Sequence, residues 1–161
     1  MAEAELLRAF GFRVRLARSS ADGGFGGAPF GDGAFAECSG LDVEMEVHDH
    51  LEGGRNDAVV RLVGRARYQP LVLKRGMFLG FDGGVDASLW SWLQGVVSGR
   101  RPVVRHDGIV EVLDVGRVAA RWVFERGLPT KLAGPRLDAR TGEIALEELT
   151  IAHEGLRLVT S

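Results

Sequence analysis

The sequence is poor in cysteine and contains no long apolar run. Cys38 is its one cysteine, which excludes an intramolecular disulfide and a cysteine-rich zinc site. We expect this thiol to be buried and inert. No stretch approaches the ~20 apolar residues that cross a bilayer, and the N-terminus lacks the pattern of a secretory signal. We therefore expect synthesis and folding in the cytoplasm, without a membrane anchor.

An excess of one sign of charge is also missing. The chain has 20 Lys and Arg against 22 Asp and Glu, a net charge of -2, whereas nucleic-acid-binding domains usually carry a basic excess. Arg13, Arg15 and Arg18 lie close together, but the first two fall on the polar side of an alternating strand. We expect a solvated face there and no direct sequence-specific binding of nucleic acid.

The length and the apolar content indicate one folded domain. The 161 residues are 45% hydrophobic, which is typical of a globular protein with a core of its own. No fixed repeat and no linker divides the chain. We therefore predict a single domain over residues 1–161.

Alternation of apolar and polar residues, the period of a half-buried strand, dominates the pattern. It predicts a strand from Phe10 to Arg18 and a hairpin around Val115-Gly116. In the last strand the apolar phase shifts by one residue, which predicts a bulge at Glu147-Glu148. Further strands are predicted at 59–63 and 68–74, a glycine-rich loop at 22–33, and the one internal helix at 87–97, with Asp86 or Ser88 as its N-cap. The fold class is mainly β.

The longest polar strand pattern lies between Leu41 and Leu62. Leu41, Val43, Met45 and Val47 alternate with acidic residues and His48 before a break at residues 51–57. This predicts a long β-hairpin or β-arm with one dry and one wet face.

None of the chemical motifs reaches the standard of a catalytic or binding site. Glu44, Glu46, His48 and His50 share a strand face, but residues two apart lie about 6.6 Å from each other and do not converge on one metal ion. The glycine-rich loop has no Gly-Lys-Ser/Thr ending and no following helix, so it does not predict a phosphate site. We predict no catalytic, cofactor or metal residues and no enzymatic activity.

Several blocks, in order, resemble the tail-tube family of contractile injection machines. The family includes phage tail tubes, the inner tubes of extracellular injection systems and, more distantly, the haemolysin-coregulated protein of type VI secretion. The blocks are 35–41, the charged arm, 68–76, 89–92, 122–124 with 129–131, and 143–149 with 153–155.

The resemblance implies two packed antiparallel sheets forming a β-barrel or sandwich, with one flanking helix and the long arm. It also implies six-membered rings that stack into a tube for cargo passage. The implied partners are further copies of the chain, a sheath protein, baseplate hub and spike proteins, and cargo in the lumen. Such a subunit would belong to a phage tail or a tail-like particle that can be released.

The arm is the predicted ring-to-ring contact. Its members are polar residues around one apolar anchor: Glu44, Glu46, His48, Asp49, His50, Leu51, Arg55, Asn56 and Asp57. Two alternatives stay open. One is a small β-barrel ligand-binding module with a pocket lined by Trp90, Trp92 and Trp122, and the other is an enzyme with a distributed site. The sequence does not separate a main tube subunit from a first ring at the baseplate, or a phage tail from an injection system.

Overall fold

The computed structural model describes residues 6–20, 29–30, 35–54 and 56–160. Within these ranges the chain forms ten strands and one helix. They are β1 (Phe12–Arg18), β2 (Pro29–Phe30), β3 (Phe35–Ser39), β4 (Val43–His50), β5 (Val60–Tyr68), β6 (Leu71–Gly76), α1 (Ser88–Val97), β7 (His106–Asp114), β8 (Arg117–Ala133), β9 (Leu146–Ala152) and β10 (Gly155–Val159).

Most strands join one antiparallel path, in the order β2-β1-β7-β8-β9-β6-β3, with β10 also paired to β8. The long strand β8 serves both halves of this path, because residues 117–127 pair with β7 and residues 128–133 pair with β9. The described path ends at two open edges, so the predicted architecture of packed antiparallel sheets is confirmed as a sandwich and not as a closed barrel. The arm strands β4 and β5 form a separate two-stranded sheet.

The core lies between the two halves. Apolar side chains alternate along each strand and meet in one cluster with the helix. Its buried members are Val14, Leu16, Phe35, Leu71, Leu73, Leu89, Trp92, Val110, Phe124, Leu132, Leu149 and Ile151. Burial of each large side chain is worth roughly 1.5–3 kcal/mol, and this cluster accounts for the stability of the fold.

Two glycines are required by close packing. A Cβ atom at Gly108 would lie 2.1 Å from the ring of Phe124, the central aromatic residue of the core. Gly40 has a φ of +87°, and a Cβ atom there would lie 2.0 Å from the carbonyl oxygen of Pro70. The chain therefore needs glycine at position 40 for both its conformation and its space.

The helix lies where the sequence predicts it, and Leu89 and Trp92 are buried against the sheets. The indole Nε1 of Trp92 donates a hydrogen bond to the Val104 carbonyl oxygen at 2.9 Å. The predicted N-cap is wrong, because Ala87 holds that position without a side-chain bond. Asp86 instead accepts a hydrogen bond from the Ser88 amide at 3.0 Å.

The predicted bulge in the last long strand is wrong. Strand β9 pairs with β6 in unbroken register from Leu146 to Ile151. Glu147 is 1% exposed and shares the inward face with Leu149 and Ile151. Its carboxylate accepts a hydrogen bond from Nε of the buried Arg75 at 2.6 Å. A carboxylate thus occupies a position in the apolar phase because a guanidinium on the neighbouring strand neutralises it.

Other differences are small. Strand β1 begins at Phe12, and Phe10 is 83% exposed outside it. The hairpin around Val115-Gly116 is confirmed by the pairing of β7 with β8. Most of the predicted glycine-rich loop, at 22–28 and 31–33, lies outside the described residues. In the described part of the chain, no helix is both long and apolar enough to span a membrane.

Candidate functional site

The arm is the most exposed regular element of the described chain. Strands β4 and β5 pair antiparallel from Val43–Tyr68 at the base to His50–Val60 near the tip. The exposed residues Leu51 to Gly54, Asn56 and Asp57 lie between the two strands. The hairpin predicted between Leu41 and Leu62 is therefore present, and β5 continues six residues beyond the predicted end.

An irregularity in the middle of the arm sets its surface. The register shifts between Met45 and Val47, where β5 has one more residue than β4. A Cβ atom on Gly64 would lie 2.8 Å from Nε2 of His48 and 3.0 Å from Cβ of Glu46. These two side chains therefore lie across the bare glycine backbone, and the polar face stays continuous over the bulge.

The apolar face of the arm is not covered. Val43, Met45, Val47 and Val63 are 49–76% exposed, although their alternation predicts a dry face. The cross-strand pairs Met45–Ala66 and Val47–Val63 place these side chains together on one side of the hairpin. Contiguous exposed apolar surface of this kind marks an interaction site in soluble proteins.

On the polar face of the arm, two ion pairs connect β4 with β5. Glu46 pairs with Arg67, and Asp49 pairs with Arg61 at 3.7 Å. All four side chains are solvent-accessible to some degree, so these pairs contribute little to stability. Glu44, His48 and His50 are exposed beside them, and Arg55 lies outside the described residues.

The structure does not gather the arm's histidines and carboxylates into a metal site. Among the described residues, no group of three or more His, Cys, Asp or Glu side chains could hold one ion. Glu44, Glu46, His48 and His50 follow each other along one extended strand.

Cys38 and His153 do not form a nucleophilic pair. Both ring nitrogens of His153 lie 3.1 Å from backbone carbonyl oxygens, those of Gly155 and Gln69. Burial lowers the pKa of His153 and raises the pKa of Cys38 to about 11. At neutral pH the thiol of Cys38 is therefore protonated and a poor nucleophile.

A pocket of about 380 Å³ lies beside the helix. Phe30, Trp92, Val96, Pro102, Val104 and His106 line it, with Arg18 and Arg100 also in its wall. Of the three tryptophans predicted to share a pocket, only Trp92 is present here. Trp90 and Trp122 pack, partly buried, against the core cluster, so the predicted three-tryptophan pocket is not formed.

His106 is an unusual member of this wall. Its ring stacks on Phe30 with centroids 4.1 Å apart and meets Trp92 edge-on at 4.3 Å. The residue is 4% exposed, and its buried Nδ1 has no hydrogen-bond partner among the described atoms. Burial lowers the pKa of His106 to about 4, aided by the charge of Arg18, so the imidazole is neutral near pH 7.

The N-terminal arginines surround a buried carboxylate. Glu111 is fully buried and forms ion pairs with Arg13, with Arg15 at 3.2 Å and with Arg121 at 2.8 Å. Burial alone raises the pKa of Glu111, but hydrogen bonds from Arg13 and Arg121 and the nearby positive charges outweigh it and lower the pKa overall. This side of the sheet is therefore an ion-pair network, whereas the sequence predicts a simple solvated face.

The sequence prediction missed part of the candidate surface. The sequence pattern predicts the polar residues and Leu51 as contact residues but places Val43, Met45 and Val47 on a dry face. The alternation of apolar and polar residues along β4 is evident in the sequence. No signal in one sequence distinguishes an apolar face buried within the chain from one buried by a partner.

Comparison with known proteins agrees with this architecture. The family model described as T4-like virus tail tube protein gp19 matches residues 8–157. A chain of the anti-feeding prophage (AFP) baseplate is 22% identical with a TM-score of 0.77, covering 98% of this chain and 97% of that one. A chain of the PVC sheath-tube complex of an extracellular contractile injection system, in the extended state, is 18% identical with a TM-score of 0.74, covering 97% and 93%.

A third structure, the AFP tube-terminating cap, contains a chain that is 20% identical with a TM-score of 0.76, covering 100% of this chain and 95% of that one. At these identities the similarity establishes a common fold. No curated protein sequence matches the chain significantly.

Proposed function

Because the chain belongs to the T4-like virus tail tube protein gp19 family, we propose that it is the building block of a hexameric ring that stacks into the inner tube of a contractile particle. A tail tube protein is a structural component, and the site that supports assembly here is the arm. The subunit supplies contact surfaces and no catalytic group.

The uncovered apolar face of the arm is the observation that carries the proposal. Val43, Met45, Val47 and Val63 form a two-stranded apolar surface that the described chain leaves in solvent. A two-stranded hairpin is only marginally stable by itself in water. Contact with another copy would bury this face and stabilise the hairpin at once.

The polar arm residues would set the register of that contact. The predicted set is Glu44, Glu46, His48, Asp49, His50, Leu51, Arg55, Asn56 and Asp57. Leu51, 76% exposed at the tip, serves as the apolar anchor. Charged groups around it favour one docking geometry over others, since mismatched like charges oppose association.

The sandwich has strand edges that suit ring formation. In the described chain β3 pairs only with β6, and β10 pairs only with β8. Pairing of such edges between neighbours satisfies their backbone groups and removes sites of aggregation. Repeated head-to-tail contact closes a ring when the rotation between neighbours fits, and six copies is the proposed number.

The proposed partners follow from the setting of the similar chains. Those chains come from a baseplate, a sheath-tube complex and a tube cap. We assign to this protein a surrounding sheath, baseplate hub and spike proteins, and cargo that passes through the lumen. Assembly takes place in the cytoplasm, and the finished particle can leave the cell.

Native mass spectrometry of the purified protein tests the ring, and negative-stain microscopy tests the tube. The proposal predicts a six-copy species at micromolar concentration and hollow rings or tubes of uniform diameter. A protein that stays monomeric at high concentration would contradict it. A monomer that also gains thermal stability from a small apolar ligand would favour the binding-module alternative.

A further inference from the structure

One loop presents an aromatic side chain entirely to solvent. Phe81 is fully exposed, at 116% of the reference value, in the loop that joins β6 to the helix. Leu79 and Val85 form an isolated bridge below it, so the loop is a small hairpin with Phe81 near its tip. Leu79 and Val85 are themselves 75% and 47% exposed, and a contiguous exposed apolar patch of this kind marks an interaction site.

Hydrogen bonds within the loop hold Phe81 in this exposed position. The Gly80 amide donates to the Gly84 carbonyl oxygen at 2.7 Å, and the Gly83 amide donates to the Gly80 carbonyl oxygen at 3.0 Å. Asp82 Oδ1 accepts a hydrogen bond from the Gly84 amide at 3.1 Å. Because the loop is already ordered, docking of Phe81 would cost little conformational entropy.

The base of the loop is fixed to the core. Asp86 pairs with the buried Arg75 at 3.2 Å, and its amide donates to the Phe78 carbonyl oxygen at 2.9 Å. Arg75 in turn bonds Glu147 inside the sandwich. The base of the loop is therefore attached to a buried ion pair of the core.

The same chain carries a pocket of the right size and chemistry. The pocket beside the helix has a volume of about 380 Å³ and a wall that includes Phe30, Trp92, Val96 and Val104. A dry cavity of about 150 Å³ lined by aliphatic and aromatic groups already holds benzene in another protein. The ring of Phe81 therefore fits, with room for part of its loop.

The charges beside Phe81 and in the pocket wall are opposite in sign. Asp82 follows Phe81 directly, and Arg18 and Arg100 lie in the pocket wall. In the part of the chain that the structure describes, neither arginine forms an ion pair with a carboxylate. Asp82 would approach these arginines when Phe81 enters the pocket, which favours this occupant over a basic or neutral one.

We infer that Phe81 of one subunit inserts into the pocket lined by Phe30, Trp92 and Val96 of a second copy. The contact is heterologous, since the inserted residue and the pocket lie at different places on each subunit, and such contacts propagate into rings or stacks. The inference rests on the proposed assembly and names one of its contacts. It is separate from the arm.

Two substitutions test the contact from its two sides. Phe81→Ala removes the inserted ring. Gly95→Trp fills the pocket, because a Cβ atom at Gly95 meets no atom within 4 Å and the position lies in the pocket wall. Replacement of a helical glycine also favours the helix. Leu137→Ala is the control, since Leu137 is 84% exposed and does not line the pocket.

Each test variant should raise the critical concentration for assembly roughly ten- to hundredfold, the value of one buried phenyl ring. The melting temperature of the unassembled chain should stay within a few degrees of wild type. The control should assemble like wild type. Normal assembly of both test variants would overturn the inference. Failure of the wild-type chain to assemble at all would instead refute the proposed function.

Cross-linking locates the contact directly. In a Cys38→Ser background, Phe81→Cys combined with Ser91→Cys places one thiol on the loop and one in the pocket wall. Under a mild oxidant, the inference predicts a ladder of covalent oligomers that each single-cysteine chain fails to give. A monomer with an internal disulfide, or no cross-link at all, would overturn it.

Discussion

The sandwich core and the arm differ in how far their charged and apolar side chains are buried. In the core, Arg75 and Glu147 are fully buried and paired, among apolar side chains that are also buried. In the arm, the pair Arg67–Glu46 lies in contact with solvent, beside valines and a methionine that are about half exposed or more. The core buries its apolar side chains within the described chain, whereas the apolar face of the arm is left exposed there.

Because of this difference in burial, we expect stability and assembly to depend on different residues. Substitutions in the core should change the free energy of unfolding of the single chain. Substitutions in the arm should leave that free energy nearly unchanged and alter association.

The core ion pair gives the largest effect. Arg75→Met should destabilise the chain by about 3–5 kcal/mol, because it leaves the Glu147 carboxylate buried without its partner. The matched arm variant Arg67→Met should cost less than about 1 kcal/mol, since that pair is in contact with solvent. Urea unfolding followed by circular dichroism measures both.

The double variant Arg75→Met with Glu147→Leu provides the control. Replacement of a buried pair by apolar groups is often neutral, so the double variant should recover most of the stability. Equal losses in Arg75→Met and Arg67→Met would show that the core and the arm do not differ in this way.

Acid should weaken the core through His106. The folded chain holds this imidazole neutral down to a pKa of about 4, whereas the unfolded chain binds the proton near pH 6.5. The unfolded state therefore binds more protons between these values, and stability falls as the pH decreases from about 6.5 to about 4. The loss from this group should reach about 3 kcal/mol and then level off.

Carboxylates also titrate in acid, so a variant isolates the histidine. The unfolding free energy of His106→Phe should decrease less than that of wild type between pH 6.5 and pH 4. Identical pH profiles for wild type and His106→Phe would refute the assignment.

The turn between β7 and β8 offers a gain in stability. Val115 has a φ of +45° and is followed by Gly116 at +78°, a pair of positive values that favours Asn-Gly. Valine is strained there, so Val115→Asn should stabilise the chain by about 1 kcal/mol. Thermal unfolding measures the change, and Leu137→Asn, at an exposed site away from the turn, controls for polarity. A loss of stability would show that Val115 makes contacts worth more than its strain.

The arm charges should have the smallest effect on folding. Glu44→Lys with Glu46→Lys should shift the unfolding free energy by less than about 1 kcal/mol, since Glu44 is exposed and the pair of Glu46 with Arg67 is in contact with solvent. Tubes should become shorter or disappear while rings persist. High salt should reduce the difference from wild type, since exposed charges are screened within about 10 Å at ~0.1 M. Tubes of normal length from the folded double variant would show that these charges do not govern the stacking of rings.

The sequence predicts most of the fold because alternation and helical spacing are local. Strand β1, the hairpin of β7 and β8, and the helix all follow from apolar residues that face the chain's own core. The prediction fails at Glu147, where a strand far away in sequence supplies Arg75. No local pattern shows which acidic residue has such a partner.

The candidate site is predictable in outline only. The charged arm and its extent are visible in the sequence between Leu41 and Leu62. The exposure of Val43 and Val47 is not, because alternation shows that a strand face is apolar and does not show what covers it. The extra residue near Gly64, which lets His48 and Glu46 lie across the backbone, also depends on pairing between the two strands.

The proposed tube requires that the apolar face of the arm joins one subunit to another. Met45→Ser with Val47→Ser tests it, because both side chains are about half exposed and lie outside the core. Wild type and variant should have circular dichroism spectra and melting temperatures of the free chain that agree closely. Electron microscopy should then show tubes for wild type and single rings or free subunits for the variant. Tubes of wild-type length from the folded variant would contradict the account.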